Sequence, residues 1–89
     1  MDTERLFMRL GIMQTKDFKT EIKMKSKRYE PFIAKVKDFL YDEDDHKVVF
    51  QRCEETQFPD DSEDQKKDTY TTYIKNIKSV DRYHEKKSE

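Results

Sequence analysis

The chain has one cysteine, one glycine, two prolines and no tryptophan in 89 residues, and each shortage removes a class of protein. The single thiol, Cys53, excludes an intrachain disulfide framework and points to a reducing compartment. With one glycine, no glycine-rich phosphate-binding loop can be built. No apolar run is long enough for a secretory leader or a membrane span, so the expectation is a soluble, cytoplasmic protein off the membrane. Net charge is also nearly absent, at −1, and no internal repeat or low-complexity tract is present.

What remains is charge and aromatic residues. Charged residues make up 44% and hydrophobic ones 33%, where ordinary domains are about a quarter charged. Such a composition borders on disorder, but the near-zero net charge and the six Phe and five Tyr favour a real core. Residues 1–89 make one small domain, above the size that needs a disulfide or a metal to fold. The charge is segregated along the chain. Residues 14–37 sum to +5 and residues 38–68 to −8.

Periodicity predicts five elements. Asp2 or Thr3 caps a first helix with Leu6, Phe7 and Leu10 on its apolar face, and Gly11 ends it as a C′ residue. From Asp17 to Lys25 the residues alternate, with Phe18, Thr20, Ile22 and Met24 on one side of a half-buried strand and lysines on the other. Pro31 to Tyr41 places Phe32, Ile33, Val36, Phe39 and Leu40 at helical spacing, behind a proline suited to a first helical position. Val48, Val49 and Phe50 centre a buried strand over residues 47–53. After an acidic connection over residues 54–68, Ser62 and Gln65 have the form of a capping box. Tyr70, Tyr73, Ile74, Ile77, Val80 and His84 then follow helical spacing, although Thr69 to Tyr73 prefer strands. Residues 85–89 should fray.

The expected fold is therefore α+β, in the order helix–strand–helix–strand–helix, with a minimal sheet packed on helices. Its core holds Phe18, Ile22, Phe32, Ile33, Val36, Phe39, Leu40 and Phe50. A strand–helix–strand crossover predicts two parallel strands. Two strands leave open edges, so either residues 54–58 add a third or another chain does.

Candidate sites are few. Asp42, Glu43, Asp44, Asp45 and His46 suggest a calcium loop, but one starting at Asp42 has Lys47 where glycine belongs and Cys53 where a bidentate acid belongs. Cys53, His46 and His84 lack the spacing of a zinc site. Nothing pairs a nucleophile with a base, or two carboxylates in an apolar pocket. No metal, no cofactor and no enzymatic activity are expected.

Surface charge is more informative. Lys23, Lys25, Lys27 and Arg28, together with Lys19, Lys35 and Lys37, form a basic set suited to an acidic partner or a phosphate backbone. Asp42, Asp44, Asp45, Asp60 and Asp61 form an acidic set, of the sort with which small inhibitors plug a basic groove. Tyr83 lies partly off the last apolar stripe and is a candidate exposed contact. The run Ile22-Lys-Met-Lys-Ser-Lys, followed by the central element and Val48-Val49-Phe50, resembles the opening of Alba-like nucleic-acid-binding domains. It departs from them where they continue with a glycine-containing turn and this chain has Glu54 to Asp68. The functional expectation is a non-enzymatic protein-interaction protein, such as an inhibitor, an immunity-type protein or an accessory subunit. It would work in a hetero-complex or a homo-oligomer; the alternative is a small nucleic-acid-binding module.

Overall fold

The computed structural model describes residues 2–84. It contains one helix, α1 (Thr3–Lys16), and five strands, β1 (Lys19–Met24), β2 (Phe32–Asp42), β3 (Asp45–Gln51), β4 (Thr69–Tyr73) and β5 (Ile77–Arg82). A short 3₁₀ turn, η1 (Ile74–Asn76), separates the last two strands. The strands form one sheet in the order β4-β3-β2-β1-β5, and every pairing is antiparallel.

The helix begins as its sequence dictates. The Asp2 carboxylate accepts a hydrogen bond from the Arg5 backbone N–H at 2.8 Å, as an N-cap should. Leu6, Leu10 and Met13 are buried beneath it, one helical turn apart. Gly11 does not end the helix, which continues to Lys16 and stops at Asp17 in the left-handed region, φ 56° and ψ 39°. There the Phe18 N–H reaches the Met13 carbonyl at 3.1 Å, which satisfies one of the last helical acceptors.

The expected order of elements is wrong, and two β-bulges explain why. The Pro31–Tyr41 segment is not a helix but most of β2. Phe32, Ala34 and Val36 alternate inward, then the register shifts between Val36 and Asp38 and leaves Lys37 unpaired. Phe39 follows on the inner face, three residues after Val36. The extra residue turns a period of two into the 4-and-3 spacing of a helix. The last predicted helix dissolves in the same way. Thr72, Ile74, Ile77 and Val80 are all buried, but η1 interrupts the strand and Lys78 is the extra residue where β5 shifts register against β1. The sheet therefore has no parallel pair, and residues 54–58 add no strand. The frayed tail expected over residues 85–89 lies outside the described residues.

The chain order forces the sheet to curl. β4 and β5 lie on opposite margins of five strands, about 19 Å apart in a flat sheet at roughly 4.8 Å per strand. The three residues of η1 advance only about 6 Å, so the sheet rolls until its margins approach, and α1 covers the open side against β2, β5 and η1. Inside are Leu6, Leu10, Ile22, Phe32, Val48, Phe50, Ile74, Ile77 and Val80. Of the expected core, Ile22, Phe32, Val36 and Phe50 are buried, and Phe18 and Phe39 are partly so. Ile33 is only half-buried and Leu40 is 46% exposed. Both stand on the outer face, because a strand sends neighbouring residues to opposite sides.

Candidate functional site

Alternation fixes the basic surface. With Thr20, Ile22 and Met24 inward, Lys19, Glu21 and Lys23 face outward. Beyond Met24 the chain loops over residues 25–31. The base of the loop is tied to η1 by the Lys25 N–H, which donates to the Asn76 carbonyl at 2.9 Å. Within it, the Arg28 N–H donates to Ser26 Oγ at 3.3 Å. Lys23, Lys25, Lys27 and Arg28 are all exposed, and among the described residues none of the four makes an ion pair.

Several other cations are neutralised. Lys19 Nζ meets Glu55 Oε1 at 2.9 Å, Lys35 Nζ meets Asp17 Oδ2 at 3.1 Å, and Arg9 meets Asp81 at 3.2 Å. The Lys19 ammonium holds the Glu55 carboxyl below its usual range. Lys35 opposes Lys19 across β1 and β2, so it lies on a strand beside the basic set and not on a helix. Lys37 is the exposed bulge residue.

The acidic residues split into two places. Asp42 closes β2 opposite Asp45, and the two-residue turn Glu43-Asp44 joins the strands, with Glu43 at φ 30°. Asp44 is exposed, whereas Asp45 accepts from Lys75 of η1 at 3.2 Å. The second group sits on the 52–68 connection. Asp60 is exposed. Asp61 is a structural latch: one oxygen binds the Arg52 guanidinium and the other accepts from the Phe58 N–H at 2.9 Å. That guanidinium holds the Asp61 carboxyl below its usual range. Tyr83 follows β5, half-buried, and its N–H donates to the Lys19 carbonyl at 2.8 Å.

The connection is anchored by residues that the periodicity did not mark. Phe58, 3% exposed, packs edge-on to Phe32 at 5.7 Å and stacks on Tyr70 at 5.6 Å. The Thr56 hydroxyl donates to the Ile33 carbonyl and accepts from the Cys53 N–H at 2.8 Å. The available cue was a lone aromatic residue in an acidic stretch. Ser62 and Gln65 do bond as a cap, with the Gln65 N–H on Ser62 Oγ at 3.1 Å, but no helix follows them. Burial pushes the Tyr70 phenol above its usual range, and Tyr29 and Asp60 add to the shift. Phe58 against Phe32 sets the acidic connection beside the start of β2, where the basic loop ends.

The isolated Cys and His residues stay apart from one another. His46 packs between Phe7 at 5.3 Å and Tyr41 at 4.7 Å. Cys53 follows β3 instead of lying in it, with its Sγ 3.2 Å from the Thr56 hydroxyl. His84 is exposed beyond β5. Among the described residues no three His, Cys, Asp or Glu side chains converge as metal ligands. No helix there is long and apolar enough to cross a membrane. No protein-family model, no curated protein and no solved structure matches the chain.

Proposed function

We propose that this chain is a non-enzymatic interaction protein, of the inhibitor or accessory-subunit kind, that docks on a partner protein through the basic 25–31 loop with the acidic connection beside it. One observation carries the reading: Lys23, Lys25, Lys27 and Arg28 stay exposed and without ion pairs among the described residues, while Lys19, Lys35 and Lys75 each hold an acid. A basic and an acidic surface side by side suit a partner with the opposite arrangement, and such complementarity steers encounter and fixes orientation. An intracellular, reducing setting belongs to the same proposal and rests on the single thiol.

A nucleic-acid reading is favoured by one feature, Tyr29, 39% exposed and next to Arg28, where a base can stack. The acidic connection at the same end opposes it. The deciding experiment is capture from the native source on the immobilised chain, against a variant carrying Lys23→Glu, Lys25→Glu, Lys27→Glu and Arg28→Glu, with and without nuclease. A protein held by the parent, released by the reversals and indifferent to nuclease is the expected result. Retention that nuclease abolishes transfers the function to nucleic acid, and equal retention by both chains removes the loop from it.

A further inference from the structure

The two margins of the sheet differ in their protection. β5 carries a bulge at Lys78 and the charged Asp81 and Arg82, with Arg9 paired to Asp81. These are the devices that keep a strand edge from pairing with another chain. β4 has none of them. It reads Thr-Tyr-Thr-Thr-Tyr, uncharged, without proline or bulge, and composed of residues that favour strands.

The register shows which backbone groups β4 offers. β3 and β4 pair as Gln51–Thr69, Phe50–Tyr70, Val49–Thr71, Val48–Thr72 and Lys47–Tyr73. The Arg52 N–H donates to the Asp68 carbonyl at 2.8 Å, which makes that pair a hydrogen-bonded one. Bonded and non-bonded pairs alternate along an antiparallel ladder. Tyr70 and Thr72 therefore bond to β3, while the N–H and C=O groups of Thr69, Thr71 and Tyr73 point away from the sheet. The Tyr73 carbonyl is taken up as the N-cap of η1, but no loop or cap bond among the described residues uses the groups of Thr69 or Thr71, and Thr71 is exposed.

We infer that two copies of the chain join through β4, antiparallel, about a two-fold axis at Thr71. In that register Thr71 faces Thr71 of the second copy, Thr69 faces Tyr73, and Tyr70 faces Thr72. The outward groups then meet each other, giving about four backbone hydrogen bonds: two between the Thr71 residues and one from each Tyr73 N–H to a Thr69 carbonyl. Every cross-strand pair is Thr–Thr or Tyr–Thr, which are favourable combinations, and no charge opposes another. The same sequence fits itself once it is reversed, which is why a second copy is the occupant. Joining β4 to β5 would instead be heterologous, giving rings or open chains, and would set charged residues against Thr and Tyr. A five-residue strand pair stays well under the roughly 1,000 Å² of a stable interface, so the dimer forms in the micromolar range or weaker.

Sedimentation velocity of the full chain from about 5 µM to 1 mM, a range chosen to bracket weak association, tests this. The mass should rise from 10.9 kDa towards twice that value and no further. Thr71→Lys puts two ammonium groups on the axis and should weaken the dimer at least tenfold with an unchanged circular dichroism spectrum. In a Cys53→Ser background, Thr71→Cys should crosslink to a dimer on mild oxidation, since bonded antiparallel partners lie about 5.5 Å apart at Cα, within disulfide reach. Lys78→Cys, on the other margin, should not. A monomer throughout the range, an assembly larger than a dimer, or a dimer that tolerates Thr71→Lys and fails to crosslink at Thr71 overturns the inference.

Discussion

Replacing Phe58 by Ala should destabilise this protein more than any change elsewhere in the 52–68 connection. Phe58 sits in a stretch without strand or helix, yet its ring touches Phe32 and Tyr70 and lies under the Arg52 guanidinium at 4.8 Å. Truncating a buried Phe costs about 3–5 kcal/mol. A chain of this length holds only about 4–13 kcal/mol in total. With a urea slope of about 1–1.5 kcal/mol/M, the unfolding midpoint should fall by about 2–5 M. There is no tryptophan, so the assay is far-ultraviolet circular dichroism or tyrosine fluorescence. Phe39→Ala is the internal comparison, because Phe39 is only partly buried and packs on Phe7 at 5.0 Å. It should cost about half as much, whereas the sequence pattern ranks the two in the opposite order. A Phe58→Ala midpoint within about 0.5 M of the parent would mean that the connection is not pinned by this ring.

Two further outcomes follow from single residues. Gly11→Ala should stabilise by about 0.5–1 kcal/mol, since Gly11 is inside a helix and an added Cβ meets nothing within 4 Å; a thermal midpoint higher by about 2–8 °C checks it, and a fall would restore Gly11 as the helix terminator. Because Asp61 titrates below its usual range in the folded chain, the unfolded chain binds the proton more readily, so stability present above the ordinary Asp range is lost as pH falls through the folded value. Urea midpoints from pH 7 to pH 2.5 should therefore drop less steeply for Asp61→Asn than for the parent, and identical slopes would remove the Asp61–Arg52 latch from the acid response.

Where the sequence was legible, local rules were sufficient. Asp2 capping α1, the Leu6–Leu10 face and the alternation of β1 all depend on neighbours a few residues away. β2 and β5 were misread because Lys37 and Lys78 carry no mark of being bulge residues. Each is a lysine on a charged chain, and only its partner strand shows that it is unpaired. The Thr-Tyr pattern of β4 signalled a strand correctly, but the apolar spacing that continued past it came from two strands and a 3₁₀ turn. The basic loop was legible because its residues are close in sequence. That Lys19 and Lys35 are neutralised, or that Asp61 is locked and not displayed, depends on Glu55, Asp17 and Arg52, which only the folded chain brings near.

The place of β1 governs how the protein acquires its structure. Ile22 lies between Phe32, ten residues on, and Val80 near the other end of the described chain. One side of β1 zips early from a short loop, and the other waits for β5. Closing that long loop is an entropic cost met before any contact rewards it, so folding should belong to the slow, non-local regime of milliseconds to seconds. The helix waits too, since its Arg9 contact is with Asp81 of β5. A chain cut before η1 would keep α1 and the β1–β4 strands but lack Ile74, Ile77 and Val80 from its core, and aggregation would compete with folding until β5 arrived.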